Sequence, residues 1–79
     1  MKRSEARILV FLETASKPHR YLRQISAKLQ IDYAYVLQIV EQMVEKGWAI
    51  KMPESNKIYI ANSPDAPTDE AKEILLNGI

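Results

Sequence analysis

The periodicity of the apolar residues changes at Gly47, and this change most restricts the folds that are open to the chain. Before Gly47 the apolar residues recur at helical spacing. After it, residues 48–52 and 57–61 have β-type composition and flank the turn-forming stretch 53–56. The sequence therefore predicts a helical region followed by one β-hairpin.

Three helices are predicted before Gly47. The first covers residues 4–15, with Ser4 as its cap, and it ends before Pro18. The second covers 21–29, and the third covers 33–46 between the N-cap Asp32 and Gly47. The connection at 30–32 suits either an antiparallel helix pair or the sharp turn of a helix-turn-helix.

The apolar positions of these elements predict a single core. Its members are Ile8, Leu9, Leu12, Leu22, Ile25, Leu29, Ile31, Val36, Val40, Met43, Trp48, Ile50 and Ile58. A charge at any of these positions is expected to unfold the domain.

The last part of the chain is predicted to be a stiff linker and a short helix. We divide the chain into a domain at 1–62 and a segment at 63–79, whose helix covers 68–76. An apolar stripe on this helix needs cover, either from a second copy or from the first helix of its own chain. A homodimer is favoured, with Phe11, Ala71, Ile74, Leu75 and Ile79 as its interface residues.

The composition excludes several classes of protein. With 79 residues, 47% of them apolar, the chain has room for one small domain and little for a deep pocket. It has no cysteine and one histidine, and it lacks a Gly-rich phosphate loop. We therefore expect no catalysis, cofactor, metal site or small-molecule ligand. Without a signal-peptide core or a membrane-length apolar run, the expected location is the cytoplasm.

The charge is distributed unevenly along the chain. Residues 1–31 contain seven basic side chains and two acidic ones, whereas the remainder is acidic on balance and the whole chain carries a net charge of +1. Such asymmetry is typical of a surface that faces a polyanion, although it also occurs where charges only solvate a small domain.

Two stretches resemble the winged helix-turn-helix family. In YLRQISAKLQIDYAYV, residues 21–36, Ile25, Leu29 and Ile31 match an I-x-x-x-L-x-I pattern that packs the second helix on the turn. The stretch EKGW, residues 45–48, resembles the passage from a recognition helix into a wing. The resemblance covers roughly residues 4–62 and extends to prokaryotic regulators of the MarR type. It implies a mainly α fold with a small β-hairpin, comprising three helices, a two-stranded wing and an extra C-terminal helix.

The resemblance also implies that the third helix reads bases in duplex DNA. Its outward face is polar but not basic, and glutamine suits the donor and acceptor of adenine. Glu41 and Glu45 restrict base contacts to the first half of the helix. The candidate base-reading residues are Ala34, Tyr35, Gln38 and Gln42.

Phosphate contacts are expected from the second helix, the start of the third helix and the wing. The candidates are Arg20, Tyr21, Arg23, Lys28, Tyr33, Lys51, Asn56 and Lys57. The tyrosines could instead pack at the edge of the core, and the strand lysines could be ordinary solvated residues.

These features predict a small transcriptional regulator that binds duplex DNA as a homodimer and acts by occupying promoter DNA. The alternative is a winged-helix module that binds protein within a larger assembly. The alternative is favoured by the lack of basic residues on the recognition face, by Glu41 and Glu45, and by Leu37 on its flank.

Overall fold

The computed structural model describes residues 1–77, and positions 78 and 79 lie outside the described part of the chain. Its elements are α1 (Arg3–Thr14), a short 3-10 helix (Lys17–His19), α2 (Leu22–Leu29), α3 (Tyr33–Glu45), β1 (Ala49–Glu54), β2 (Lys57–Asn62) and α4 (Thr68–Asn77). Within residues 1–77 no helix is long and apolar enough to cross a membrane. The predicted fold class, mainly α with one small hairpin, is confirmed.

The start of α1 differs from the prediction. Its N-cap is Lys2, whose backbone N–H donates a 2.9 Å hydrogen bond to the carboxylate of Glu5. Ser4 lies inside the first turn, with its Oγ 3.3 Å from the hydroxyl oxygen of Tyr35. Glu5 therefore closes the helix start, because a carboxylate at the third helical position can reach back to the N-cap.

The connection between α2 and α3 is a tight, hydrogen-bonded turn. Gln30 ends α2 with a φ of 55°, and the N–H of Ile31 donates to the carbonyl of Ser26 at 3.1 Å. Asp32 accepts a 3.1 Å hydrogen bond from the N–H of Ala34, which confirms it as the N-cap of α3. The turn thus fixes the direction of α3 relative to α2.

Gly47 ends α3, as predicted. Its φ is 79°, a conformation that glycine adopts without steric cost, and the N–H of Trp48 donates to the carbonyl of Met43 at 2.8 Å. This backward hydrogen bond satisfies a carbonyl at the helix end and directs the chain into β1.

β1 and β2 form an antiparallel hairpin whose last pair before the turn is Glu54 and Lys57. The N–H of Ile60 points away from β1, because it donates at 2.9 Å to the loop before α2. Since N–H directions alternate along a strand, Ile58 and its partner Pro53 form a non-hydrogen-bonded pair. Pro53 therefore costs the hairpin no ladder hydrogen bond.

The residues before α2 attach the hairpin to the helices. The carbonyl of Arg20 accepts the hydrogen bond from Ile60, and Tyr21 forms a bridge with Tyr59. The two tyrosine rings meet edge to face, with centroids 6.2 Å apart and planes at 81°. The start of α2 and the hairpin are consequently joined by backbone and side-chain contacts.

The core lies among α1, α2, α3, α4 and the inner face of the hairpin. Its buried apolar residues are Ala6, Ile8, Leu9, Leu12, Ile25, Val36, Ile39, Val40, Met43, Ala49, Ile60 and Ala71. Ala61 of β2 is also buried, on the face of the hairpin that carries its partner Ile50. Four other predicted core residues, Leu22, Leu29, Ile31 and Trp48, are half-buried and pack against the core.

The prediction is wrong for two core residues of the hairpin. Ile50 is 38% exposed and Ile58 is 46% exposed. In β1 it is Ala49 that faces the core, and side-chain alternation then turns Ile50 to the other face. Ile58 shares a face with the buried Ile60, but it lies two residues nearer the turn, where it lines an open groove.

α4 packs along α1 of its own chain. Ala71 is fully buried there, and Ile74 and Leu75 are half-buried against the core. The apolar stripe of α4 is thus partly covered within the protomer, and Ala71 has no exposed surface to offer a second copy. Ile79, another predicted interface residue, lies outside the described residues.

Candidate nucleic-acid interface

An open groove of about 600 Å³ separates the start of α2 from the tip of the hairpin. We call it the wing groove, and its lining residues are Pro18, Tyr21, Leu22, Arg23, Gln24, Tyr33, Asn56, Lys57 and Ile58. Five of them are predicted phosphate contacts, namely Tyr21, Arg23, Tyr33, Asn56 and Lys57. None of these nine described residues is acidic, so the groove has the charge that a polyanion requires.

Two cations of the wing groove lie over tyrosine rings. Cζ of Arg23 is 4.9 Å from the ring centroid of Tyr33, and Nζ of Lys57 is 5.1 Å from that of Tyr21. Both distances are within the range in which the ring face attracts a cation. The contact of Arg23 with Tyr33 joins α2 to α3, and the contact of Lys57 with Tyr21 joins β2 to the start of α2.

Lys17 adds a further cation beside the hairpin. Its Nζ lies 5.3 Å from the ring centroid of Tyr59 and 2.6 Å from a carboxylate oxygen of Glu54. The hydrogen bond to Glu54 raises the pKa of Lys17. Because Glu54 compensates this charge, Lys17 contributes less to the positive field than Arg23 or Lys57.

The first turn of α2 also contributes positive potential. Its N-cap, Tyr21, makes no side-chain hydrogen bond to the helix. Leu22, Arg23 and Gln24 form the first turn, and all three line the wing groove. The partial positive charge of a helix N-terminus therefore lies at this end of the groove.

The predicted base-reading residues lie on α3, outside the lining of the wing groove. Ala34, Tyr35 and Gln38 are exposed, whereas Gln42 is half-buried. The hydroxyl of Tyr35 reaches Ser4 at the start of α1, so this ring leans towards the α1 side of α3. An exposed amide at Gln38 and a small side chain at Ala34 leave the first half of α3 able to approach base edges.

The second half of α3 is electrostatically compensated. Glu41 forms an ion pair with Lys51 of β1, one of the predicted phosphate contacts. Glu45, one turn further, is exposed and acidic. This end of α3 therefore offers a polyanion little attraction.

Arg20 and Lys28, two other predicted phosphate contacts, do not line the wing groove. Nε of Arg20 donates to the carbonyl of Ala15 at 2.9 Å, which closes the loop after α1. Lys28 is exposed in the last turn of α2.

Sequence reasoning did not assign five residues to this surface. Four of them line the groove, namely Pro18, Leu22, Gln24 and Ile58, and the fifth, Lys17, lies over the ring of Tyr59 beside it. Lys17 lies in the basic first third of the chain, and this charge was the only feature of the sequence that pointed to a role for Lys17 at this surface. The sequence was misleading for Ile58, because an isoleucine in a strand is usually assigned to the core.

Comparison with known proteins supports the fold. No family model and no curated protein sequence matches this chain. The solved structure of a single-residue variant of Lactococcus lactis ZitR is similar, with a TM-score of 0.72 at 23% sequence identity over 95% of this chain. The chain spans about half of that ZitR chain, 51% of its length. The four helices and the hairpin form a winged helix, a fold that the chain shares with this ZitR structure.

Proposed function

We propose that this protein binds duplex DNA and regulates transcription by occupying promoter sites. The observation that carries the proposal is the convergence of Tyr21, Arg23, Tyr33, Asn56 and Lys57 on one groove without a carboxylate. A sugar-phosphate backbone is the polyanion that such a groove beside a helix-turn-helix suits. The proposal includes no catalytic step and no cofactor.

In the proposed complex the first half of α3 enters the major groove of the DNA. Ala34, Tyr35 and Gln38 then face base edges, while Glu41 stays paired with Lys51 and this pair makes no phosphate contact. Gln42 contributes less, because its side chain is half-buried. The wing groove lies against the backbone and sets the position of α3 along the duplex.

We also propose that the protein acts as a homodimer in the cytoplasm of a prokaryote. Support for the dimer comes from α4, where Leu76 is 78% exposed beside the half-buried Ile74 and Leu75, and from the half-buried Phe11 on α1. A two-fold dimer would present two recognition helices to a palindromic site.

A protein-binding module is the second candidate. Leu37 is 38% exposed and Tyr35 is 40% exposed on α3, and the ion pair of Glu41 with Lys51 removes net charge nearby. Exposed apolar residues on a weakly charged helix face are typical of protein contacts.

The test is binding to random-sequence duplex DNA by fluorescence anisotropy over a salt series. Arg23→Ala and Lys57→Ala should each reduce the slope of log affinity against log salt by about 0.9, the value for one phosphate contact. Lys72→Ala is the matched control, since Lys72 pairs with Glu13 on the α1–α4 surface. Gln38→Ala should keep the slope and change the base preference of selected sites. No binding at about 50 mM salt would favour the protein-binding module.

A further inference from the structure

The side chains of Arg23 and Lys57 have different partners from the four lysines of this protein that form ion pairs. Four ion pairs join described residues, and each neutralises a lysine: Lys17 with Glu54, Lys46 with Glu5, Lys51 with Glu41, and Lys72 with Glu13. Within residues 1–77, Arg23 and Lys57 belong to none of these pairs and instead lie over Tyr33 and Tyr21.

A tyrosine ring and a carboxylate have different effects on a neighbouring cation. A carboxylate compensates the charge and occupies N–H donors. A ring face attracts the cation, restricts its position and leaves its charge and its N–H donors available to an anion. Long cationic side chains otherwise lose rotamer freedom when they bind, so a cation that is already placed binds more tightly.

From this contrast we propose that Tyr33 and Tyr21 are positioning residues, which hold Arg23 and Lys57 ready for phosphates of one DNA strand in the wing groove. The inference rests on the proposed DNA binding and assigns how its backbone contact is built. Tyr33 acts through Arg23 and Tyr21 acts through Lys57, and neither ring needs to contact the DNA itself.

Tyr21 also helps to join the two sides of the groove. Tyr21 forms a bridge and an edge-to-face contact with Tyr59 of β2, and the Ile60 N–H bonds to the carbonyl of Arg20. These contacts fix the hairpin relative to the start of α2. The spacing between the two cations is therefore set before DNA arrives, as a preorganised site requires.

The experiment uses substitutions at Tyr33, which is 37% exposed and lies outside the core. DNA affinity is measured over a salt series for Tyr33→Leu, Tyr33→Phe, Arg23→Ala and the double variant Arg23→Ala with Tyr33→Leu. Tyr33→Leu should weaken binding by about 2- to 5-fold without changing the salt slope, because the ring carries no charge. Tyr33→Phe keeps the ring and should bind like the wild type.

The double variant separates positioning from direct contact. If Tyr33 acts only through Arg23, Tyr33→Leu should cause no further loss once Arg23 is alanine. In the free protein, NMR should show ring-current shifts of the Arg23 side-chain protons in the wild type and in Tyr33→Phe, and their loss in Tyr33→Leu. This readout reports the contact without DNA and shows that each variant is folded.

Additive losses in the double variant, or a Tyr33→Phe variant as weak as Tyr33→Leu, would overturn the inference while leaving DNA binding intact. The second result would mean that the hydroxyl itself contacts the DNA. A wild-type protein that does not bind DNA would overturn the proposed function and this inference with it, and that result appears before any variant is made.

Discussion

Nζ of Lys46 lies 2.8 Å from Oε2 of Glu5, and this ion pair joins the end of α3 to the start of α1. The side chain of Glu5 is only 3% exposed, whereas that of Lys46 is 44% exposed. Burial alone would raise the pKa of Glu5. The hydrogen bonds from Lys46 and from the Lys2 N–H, together with nearby positive charge, outweigh burial and hold that pKa below its ordinary value of 4.5.

Removal of the lysine should destabilise the fold. We expect Lys46→Ala to lower the free energy of unfolding by about 1–3 kcal/mol, because the buried carboxylate of Glu5 loses a charged partner. Urea unfolding near neutral pH measures this change. Lys28→Ala replaces an exposed lysine of α2 and should stay within about 0.5 kcal/mol of the wild type. Equal stability of the two variants would show that the ion pair contributes little.

The same carboxylate should make stability depend on pH. Since the pKa of Glu5 is lower in the folded than in the unfolded protein, its contribution is present above pH 4.5 and is lost as the pH falls through the lowered folded pKa. Unfolding of the wild type and of Glu5→Gln should be compared from about pH 7 to about pH 3. The wild type should be the more stable at the upper end, with an advantage that shrinks on acidification. A constant difference over the whole range would contradict this assignment.

Adding a side chain at Gly47 should destabilise the fold only through the backbone conformation of this residue. Its φ is 79°, and beyond Gly47 itself and its two neighbours in the chain no atom of the described residues lies within 4 Å of the position that a Cβ would occupy. Gly47→Ala should therefore cost about 1–2 kcal/mol through left-handed strain and not through a clash. Gly47→Asn should cost less, because asparagine tolerates this conformation better. Thermal or urea unfolding would rank the three proteins, and an alanine variant as stable as the wild type would be the contrary result.

Local chemistry explains which parts of the fold could be predicted from sequence. Asp32 begins α3 and Gly47 ends it, and both act on residues close to them in the chain. Their roles are therefore visible in the sequence. The direction of Ile50 depends on the strand register, which the fold sets by contacts between distant residues. An apolar residue in a strand therefore did not identify which face is buried, and the smaller Ala49 occupies the core position instead.

The candidate site was predictable in residue type but not in arrangement. Basic and tyrosine residues before position 34 marked a polyanion surface. That Lys57 meets Tyr21, and that Glu41 compensates Lys51, depends on how the hairpin packs beside α2 and α3. Side-chain pairs made across the fold in this way have no signature in local spacing.

The proposed homodimer predicts a specific role for Leu76. This side chain is 78% exposed on α4, whereas Ala71 of the same helix belongs to the core of the protomer. Leu76→Glu should convert a dimer into a monomer of unchanged helical content, because a charge in an apolar interface is costly and the core is untouched. Light scattering and circular dichroism measure the two properties, with Leu76→Met as the conservative control. A monomeric wild type, or a Leu76→Glu variant that remains dimeric, would argue against the interface.

The ion pair of Glu41 with Lys51 predicts an unusual gain in DNA binding. Glu41 lies in the second half of α3 and Lys51 lies beside it on β1, and the carboxylate compensates a lysine that could otherwise meet a phosphate. Glu41→Gln should tighten binding to random-sequence DNA and steepen its salt slope by up to about 0.9, whereas Lys51→Ala should leave the slope almost unchanged. Glu13→Gln is the matched control, because it releases Lys72 on the α1–α4 surface and should not affect binding. If Lys51→Ala lowers the slope as much as Arg23→Ala does, then Lys51 already contacts a phosphate and the pair opens when DNA binds.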